Sequence, residues 1–160
     1  MLKIETLFSL IHQPFDCLIL VHPDIKVLED VSKQIQTQSI TQLNVSKDLS
    51  AYLMTISASE RIRYAQKWFI DILTSFSNGP ILCSTPDLLF EPSLKIDPLA
   101  FFRQGAKIIP LIVLWPGEYT ANCLSYAIPE HHHYRTWNIT DSLIRQPHVI
   151  IHRINSEQGV

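Results

Sequence analysis

The stretch Cys17–Gln34 restricts the possible folds of this chain more than any other part of the sequence. It opens with a wholly apolar run, Cys17–Val21, which is too short for a helix and apolar enough for a strand buried on both faces. A polar turn over residues 22–24 follows, and from Ile25 apolar residues recur at three- and four-residue steps, which predicts a helix with one buried side. A buried strand that leads through a tight turn into a helix is the unit that α/β proteins use for phosphate-binding loops.

The turn at the end of this strand lacks the residues that hold a phosphate. A Walker loop needs glycines, so that consecutive backbone N–H groups can wrap the phosphate, and a Lys-Ser/Thr pair for the terminal phosphates and the metal. The chain has no glycine before Gly79, and Lys26 is the only cation close to the turn. The sequence therefore predicts the frame of a nucleotide-binding protein without its phosphate-binding groups.

Composition and charge exclude several functional classes. With 160 residues, of which 46% are hydrophobic and 18% charged, the chain falls in the range of one globular domain. A formal net charge of −2 speaks against a membrane surface and against independent binding of nucleic acid. Because no apolar stretch has the length of a membrane span and the first residues lack the features of a signal peptide, we expect a cytoplasmic protein. The three cysteines lie in or beside apolar runs, which favours buried thiols over a disulfide or zinc site.

Alternating strands and helices along the rest of the chain predict a parallel sheet that is covered on both faces. We expect a single α/β domain over residues 1–155, with three layers and about five mostly parallel strands, and a flexible tail over residues 156–160. Beyond the central strand and helix, the predicted elements are a helix over residues 2–13, a strand over Ser39–Val45, a helix containing Leu49 and Leu53, a helix ending at Asn78-Gly79, and strands over Pro80–Cys83, Ile108–Trp115, Cys123–Ile128 and His148–Ile154.

Short local patterns predict where some of these elements begin and end. Ser57 and Glu60 have the spacing of a capping box in front of the long helix. Asp97 is placed as the N-cap of a short helix whose first residue is a proline. Pro116-Gly117 should end the most apolar strand of the chain, because proline and glycine both interrupt regular structure.

Three further stretches point to a protein family when they are taken together with the first. They are Asn44–Ala65, Leu88–Gln104 (LLFEPSLKIDPLAFFRQ) and Val113–Trp137 (VLWPGEYTANCLSYAIPEHHHYRTW). In this order they resemble BrxF, the family of small P-loop-containing proteins of type 3 BREX phage-defence systems. The resemblance implies a P-loop NTPase-like fold of the ASCE type and a role in excluding phage DNA. It also implies partners, namely the large ATPase, the methyltransferase and the phosphatase-like component of such a system.

The same resemblance indicates where a nucleotide would be held, and these positions are altered in this chain. The phosphate loop should follow the first strand, where neither a glycine pair nor Gly-Lys-Ser/Thr is found. The Walker B aspartate should follow the strand that ends at Cys83, and Ser84 stands there instead. We therefore expect a pseudo-NTPase without catalytic residues or cofactor, acting as an interaction or regulatory subunit. The positions of the altered nucleotide site are His22, Pro23, Asp24, Lys26, Ser84, Asp87 and Glu91.

Two alternative functions remain open at this point. An active ATP-binding or ATP-hydrolysing subunit would need an unconventional site for ATP and Mg²⁺, built from Lys26, Asp87, Glu91 and Arg135. A DNA-associated subunit of the same system is the other alternative, although non-specific affinity for DNA comes mostly from neutralising phosphates and this chain is not basic.

Large aromatic and basic residues close to loop ends are candidates for contacts with a partner protein or with a second copy of the chain. The aromatic rings can equally cover the edge of the sheet, and the arginine can form a surface ion pair with Glu130 or Asp97. The candidates are Trp115, Tyr119, Arg135 and Trp137.

The histidines offer weaker signals. Three in a row, at residues 131–133, point in different directions on any regular backbone, so a solvated loop is favoured over a metal site formed by His131, His132 and His133. His22 can bind an anion or act as a base in front of the helix, although a hydrogen bond with the backbone at the strand end is the more common role.

Overall fold

A computed structural model describes residues 16–36, 40–140 and 149–155. The predicted helix over residues 2–13 and the predicted tail over residues 156–160 lie outside these ranges. The strands are β1 (Cys17–His22), β2 (Gln42–Asn44), β3 (Ile81–Ser84), β4 (Leu111–Thr120), β5 (Cys123–Tyr126), β6 (Arg135–Asn138) and β7 (Val149–Arg153). The helices are α1 (Ile25–Gln36), α2 (Val45–Leu53), α3 (Arg61–Ser75) and α4 (Pro98–Ala106), and two short 3-10 turns span Asp87–Phe90 and Pro92–Leu94.

Five of the strands form a parallel sheet in the order β2-β3-β4-β1-β7. β1 lies inside the sheet, with Cys17 opposite Leu111 of β4 on one side and opposite Val149 of β7 on the other. All six residues of β1 are buried, as expected for a parallel strand with both faces covered. The predicted α/β fold with a mostly parallel sheet is confirmed.

Helices cover the two faces of the sheet unequally. Successive residues of a strand point to opposite faces. Leu18 and Leu20 of β1 therefore pack on one face against α1, whereas Ile19 and Val21 contribute to a larger core on the other face. The larger core is completed by buried residues of α2, α3 and α4. The result is the expected arrangement of three layers.

The larger core depends on a close approach of α3 and α4. The rings of Phe69 and Phe101 stack with their centroids 4.3 Å apart, and Phe102 meets Phe69 edge to face. Gly105 of α4 lies directly against this group, since a Cβ atom there would be 2.3 Å from a ring carbon of Phe69. The glycine is thus required by packing rather than by a turn.

The expected end of β4 was wrong, and two antiparallel strands extend the predicted parallel sheet. The parallel pairing of β4 with β1 ends at Pro116, but the strand continues to Thr120 and then pairs with β5 in antiparallel fashion. The carbonyl of Pro116 accepts a hydrogen bond from the Ala127 amide, and Gly117 has no Cβ to keep the backbone of β5 away. Because β6 adds to β5, the sheet has seven strands in the described part of the chain, five of them in the parallel part.

The predicted capping box before α3 and the predicted end of α3 were also wrong. Glu60 is the residue in front of the helix, but its side chain makes no capping hydrogen bond, so the capping box predicted with Ser57 does not form. The reason is that the helix begins only at Arg61, so Glu60 is the N-cap position rather than the third helical residue, and Ser57 lies three residues before it. The helix ends at Ser75, before the predicted Asn78-Gly79, because Phe76 is extended and packs against the core.

Asp97 occupies its predicted place. Its carboxylate accepts hydrogen bonds from the amides of Leu99 and Ala100, and Pro98 follows as the first residue of α4. Among the helices that the structure describes, none combines the length and the apolar character needed to cross a bilayer.

Candidate functional site

The carboxyl ends of the parallel strands bring together part of the predicted nucleotide site. In open α/β sheets, ligands bind in the crevices outside these ends. His22 ends β1, Ser84 ends β3 on the same edge, and Asp87 begins the 3-10 turn that follows. The edge is therefore the place where a ligand site is expected, and its chemistry depends on which polar groups remain available there.

In the turn between β1 and α1, side chains of the turn bind its own amides. The Asp24 amide donates to Nδ1 of His22 at 2.9 Å, and the Lys26 amide donates to Oδ1 of Asp24 at 2.9 Å. Pro23 between them has no N–H to offer. Asp24 is thus the predicted N-cap of α1, and His22 has the predicted hydrogen bond with the backbone. A phosphate at this helix end would have to displace both contacts.

At the end of β3, a neutral hydrogen-bonded group takes the place of the expected carboxylate. Nε2 of Gln42 donates to Oγ of Ser84 at 2.9 Å and to Oγ of Ser32 at 3.3 Å. The side-chain amide of Gln36 in turn donates to Oε1 of Gln42. These contacts join α1, β2 and β3, and none of the side chains carries a charge.

The two acidic residues beyond β3 are held by the segment that contains β5 and β6. Asp87 accepts a hydrogen bond from the Tyr126 hydroxyl at 3.1 Å. Burial raises the pKa of the Tyr126 phenol, and the charge of Asp87 and the hydrogen bond to it act in the same direction. Glu91 lies 3.7 Å from Nε2 of His133.

The residues of the alternative ATP site do not converge on one cavity. Asp87 lines a crevice beside α1, whereas Arg135 lines a different one together with Lys95 and Asp97. Lys26 is exposed on the first turn of α1. The structure thus brings Ser84 and Asp87 together and leaves Arg135 apart from them.

Trp115 was a candidate for contacts with a partner protein, but the structure places it in the interior. Its side chain is fully buried, its Nε1 donates to the Ser125 carbonyl at 2.8 Å, and its ring packs edge to face on Phe90. Trp137 is partly buried against the same two rings and donates to Oδ1 of Asp97 at 3.1 Å. Trp115 is thus part of the larger core, and Trp137 packs against that core rather than standing free as an anchor.

Arg135 and Tyr119 keep part of their surface accessible. Nη1 of Arg135 donates to the Ile96 carbonyl at 3.0 Å, and its guanidinium lies 5.1 Å from the centre of the Trp137 ring. Within the described residues Arg135 forms no ion pair with Glu130 or Asp97. Tyr119 lines a cavity of about 390 Å³ with His22 and Arg153.

The three histidines form the loop between β5 and β6, with His131 and His132 exposed. Nδ1 of His131 accepts a hydrogen bond from the His133 amide, which occupies one of the nitrogens that a metal would use. Residues 16–36, 40–140 and 149–155 contain no group of three side chains placed to hold a metal ion. Burial raises the pKa of the Cys17 thiol to about 12 and raises that of Cys83 as well, so neither is a thiolate near neutral pH.

The crevice beside α1 contains residues that the sequence did not single out. Its volume is about 400 Å³, and it lies between α1 and the carboxyl ends of β2, β3 and β4. Ser84 and Asp87 were predicted site residues, but Ser32 and Gln42 were not. Ser32 could have been recognised as a candidate site residue, since it is a polar residue on the apolar side of an amphipathic helix.

Comparison of the chain with models of protein families, with curated proteins and with solved structures gave no match. The function is therefore inferred from the contacts described above and from the resemblance of the sequence segments.

Proposed function

We propose that this chain is a non-hydrolysing interaction or regulatory subunit of a BREX-like phage-defence assembly, built on an α/β scaffold without a working triphosphate site. The resemblance of the segments supplies the biological setting. The absence of hydrolysis rests on one observation above all, namely that the turn after β1 uses His22 and Asp24 to bind the amides of Asp24 and Lys26.

Electrostatics at the start of α1 work against a bound phosphate. The N-terminus of a helix attracts an anion because its first amides are unpaired and the helix dipole is positive there. In this chain the carboxylate of Asp24 already occupies that position. Moving it aside would remove an N-cap, which costs about 0.5–2 kcal/mol, and leaving it in place would oppose two negative charges.

The position that would have to bind Mg²⁺ likewise lacks a suitable ligand. Magnesium prefers carboxylates and phosphate oxygens, and Ser84 offers a neutral hydroxyl that is already bonded to Gln42. Hydrogen bonds to charged groups contribute about 1.5–3 kcal/mol each, and catalysis of phosphoryl transfer relies on such contacts almost entirely. Without them, binding of Mg·ATP would leave most of the triphosphate charge without a partner.

Two of the segments that carry the resemblance, Leu88–Gln104 and Val113–Trp137, contact each other. Arg135 contacts Ile96, Trp137 contacts Asp97, and His133 lies next to Glu91. The loops at residues 91–97 and 131–135 therefore form a continuous surface, which we call the docking surface. Trp137 beside this surface packs against the rings of Phe90 and Trp115, and a side chain already packed in this way loses little entropy on association, which favours a binding role.

The first test is calorimetric titration of the purified chain with Mg·ATP, together with a phosphate-release assay. We expect no micromolar binding of Mg·ATP and no turnover, and the Lys26→Ala variant should behave like the wild type. Micromolar affinity accompanied by phosphate release would refute the proposed loss of hydrolysis.

The second test is co-purification with the large ATPase, the methyltransferase and the phosphatase-like component from the same defence gene cluster, expressed together. Arg135→Glu changes the docking surface, and Lys107→Glu is the matched control because Lys107 is exposed in front of the amino end of β4, at the other edge of the sheet. We expect Arg135→Glu to lower the recovered complex about tenfold, with little change for Lys107→Glu. If the wild type binds none of the three, the proposed assembly is wrong.

A further inference from the structure

The crevice between α1 and the carboxyl ends of β2, β3 and β4 has the dimensions of a small-molecule site. Its volume is about 400 Å³, within the range of about 300–1,000 Å³ that is common for ligand pockets. Ile25 and Leu28 of α1 form part of one wall, and Leu114, Pro86 and Pro116 contribute further apolar surface. Ile25 is 56% exposed, which is unusual for a large apolar side chain and leaves it accessible at this crevice.

Two buried hydroxyl groups line the crevice. Ser32 is 8% exposed and Ser84 is 6% exposed. Both of their oxygens accept a hydrogen bond from the Gln42 side-chain amide, which thereby uses its two hydrogens. Each hydroxyl still has its own hydrogen to donate, and among the described residues neither donates it to a protein atom. Since buried polar hydrogens normally have acceptors, the crevice presents two donors for a ligand atom.

The two serine oxygens are held in place by neighbouring side chains, while each hydroxyl hydrogen can turn toward a ligand. The Gln36 amide donates to Oε1 of Gln42, which fixes the orientation of the Gln42 side chain. Gln42 in turn fixes the two serine oxygens, one on α1 and one on β3. A site whose polar groups are fixed by neighbouring contacts binds its ligand with a smaller entropic cost.

The charges around the crevice disfavour an anion. Glu29 and Asp87 are acidic and Lys33 is the basic residue among those that line it. Asp87 is further held by the Tyr126 hydroxyl. A phosphate or carboxylate would therefore meet more negative than positive charge. A metal cation would lack a set of ligands, since the described residues contain no group of three His, Cys, Asp or Glu side chains placed to hold one. An uncharged acceptor is therefore the best complement.

From these observations we propose that the crevice binds an uncharged planar heterocycle with a carbonyl or ring-nitrogen acceptor, the chemistry of a nucleobase or of its nucleoside. The acceptor takes the hydrogens of Ser32 and Ser84, and the ring lies between the apolar residues of α1 and those at the sheet edge. This site is separate from the turn at His22 and Asp24, and it goes beyond the proposed role as an interaction subunit.

The test uses the intact wild-type chain with 13C-labelled isoleucine and leucine methyl groups, titrated in turn with uridine, adenosine and nicotinamide. We expect at least one of these probes to shift the methyl signals of Ile25, Leu28 and Leu114 saturably. The corresponding 5′-monophosphate of a binding nucleoside should bind about fivefold more weakly or worse because of the acidic lining. Absence of saturable shifts for all three probes, or equal affinity for the phosphorylated form, would overturn the proposal.

Variants then assign the two donors. Ser32→Ala and Ser84→Ala should each weaken binding about two- to tenfold, the effect of losing one hydrogen bond, and Ser93→Ala is the exposed control that should leave affinity unchanged. Unchanged affinity in both variants would contradict the assignment, and the wild-type methyl shifts remain decisive if Ser84→Ala folds poorly. A titration with Mg·ATP separates the two proposals, since turnover would refute the loss of hydrolysis while failure of the uncharged probes would refute this site alone.

Discussion

Replacing Gly117 with alanine tests how β4 passes from the parallel sheet into its antiparallel pairing with β5. A Cβ atom at this position would lie 1.8 Å from the carbonyl oxygen of Ser125, where real contacts keep at least 3.0 Å. The two backbones would therefore have to separate by about 1 Å or more. The same oxygen accepts a hydrogen bond from the buried Nε1 of Trp115 at 2.8 Å, so the separation also disturbs that contact.

The expected destabilisation combines two costs. Overpacking that forces the backbone to shift costs about 1–3 kcal/mol, and leaving a buried hydrogen-bond partner unpaired costs about 1–3 kcal/mol. The lower entropy of alanine in the unfolded chain offsets about 0.4–1 kcal/mol of this. For Gly117→Ala we therefore expect the free energy of unfolding to fall by about 1–6 kcal/mol.

Urea unfolding followed by far-UV circular dichroism measures this change, and a double-mutant cycle with Trp115→Phe locates it. If the alanine breaks the indole hydrogen bond, then Trp115→Phe should cost about 1 kcal/mol less in the Gly117→Ala background than in the wild type. A Gly117→Ala variant within about 0.5 kcal/mol of the wild type would refute the close approach of β4 and β5. Strict additivity would show that the hydrogen bond survives.

Three further predictions follow from other contacts. Gly105→Ala places a Cβ atom 2.3 Å from the Phe69 ring and should lower the free energy of unfolding by about 1–3 kcal/mol in the same urea assay; an unchanged value would contradict the packing of α3 on α4. The raised pKa of Tyr126, caused by burial and then by Asp87, means that the unfolded chain loses this proton at lower pH than the folded chain. The protonated Tyr126 phenol therefore stabilises the folded chain fully below the ordinary tyrosine pKa of about 10, and this stabilisation is lost as the pH rises above that value. In urea titrations at several pH values, Tyr126→Phe should make the free energy of unfolding fall less steeply above about pH 10. Asp97→Ala removes the N-cap of α4 and should cost about 0.5–2 kcal/mol, whereas Asp97→Asn keeps an acceptor and should cost less; equal losses would argue against the capping role.

The parallel part of the fold was predictable because local patterns determine it. Three patterns predict their elements from a few neighbouring residues: the apolar run Cys17–Val21, the helical period that begins at Ile25, and the Asp97-Pro98 pair. All three predictions agree with the structure. Where the residues that interact are neighbours in the sequence, the sequence alone predicts the local structure.

The antiparallel part was not predictable in the same way. Pro116-Gly117 reads as a strand end, and its actual role depends on the backbone of Ser125, which approaches from another strand. The burial of Trp115 likewise depends on Phe90, far away in the sequence. The role of Gln42 in the crevice was equally hidden in the sequence, because its hydrogen bonds go to Ser32 of α1 and Ser84 of β3. Contacts between distant segments decide each of these cases.

The charges that line the crevice beside α1 explain why a neutral residue suits position 84. Ser84 is buried, and the charged residues lining that crevice already include two carboxylates, Glu29 and Asp87, against the single ammonium of Lys33. An aspartate in place of Ser84 would add a buried negative charge there, which is unfavourable unless a cation such as Mg²⁺ accompanies it. A metal at that position normally shares its coordination with a phosphate, and the amides of Asp24 and Lys26 are bound within the turn instead. A neutral serine bonded to a neutral amide therefore suits a crevice with two carboxylates and one ammonium, on the same sheet edge as a turn whose amides are bound by its own side chains.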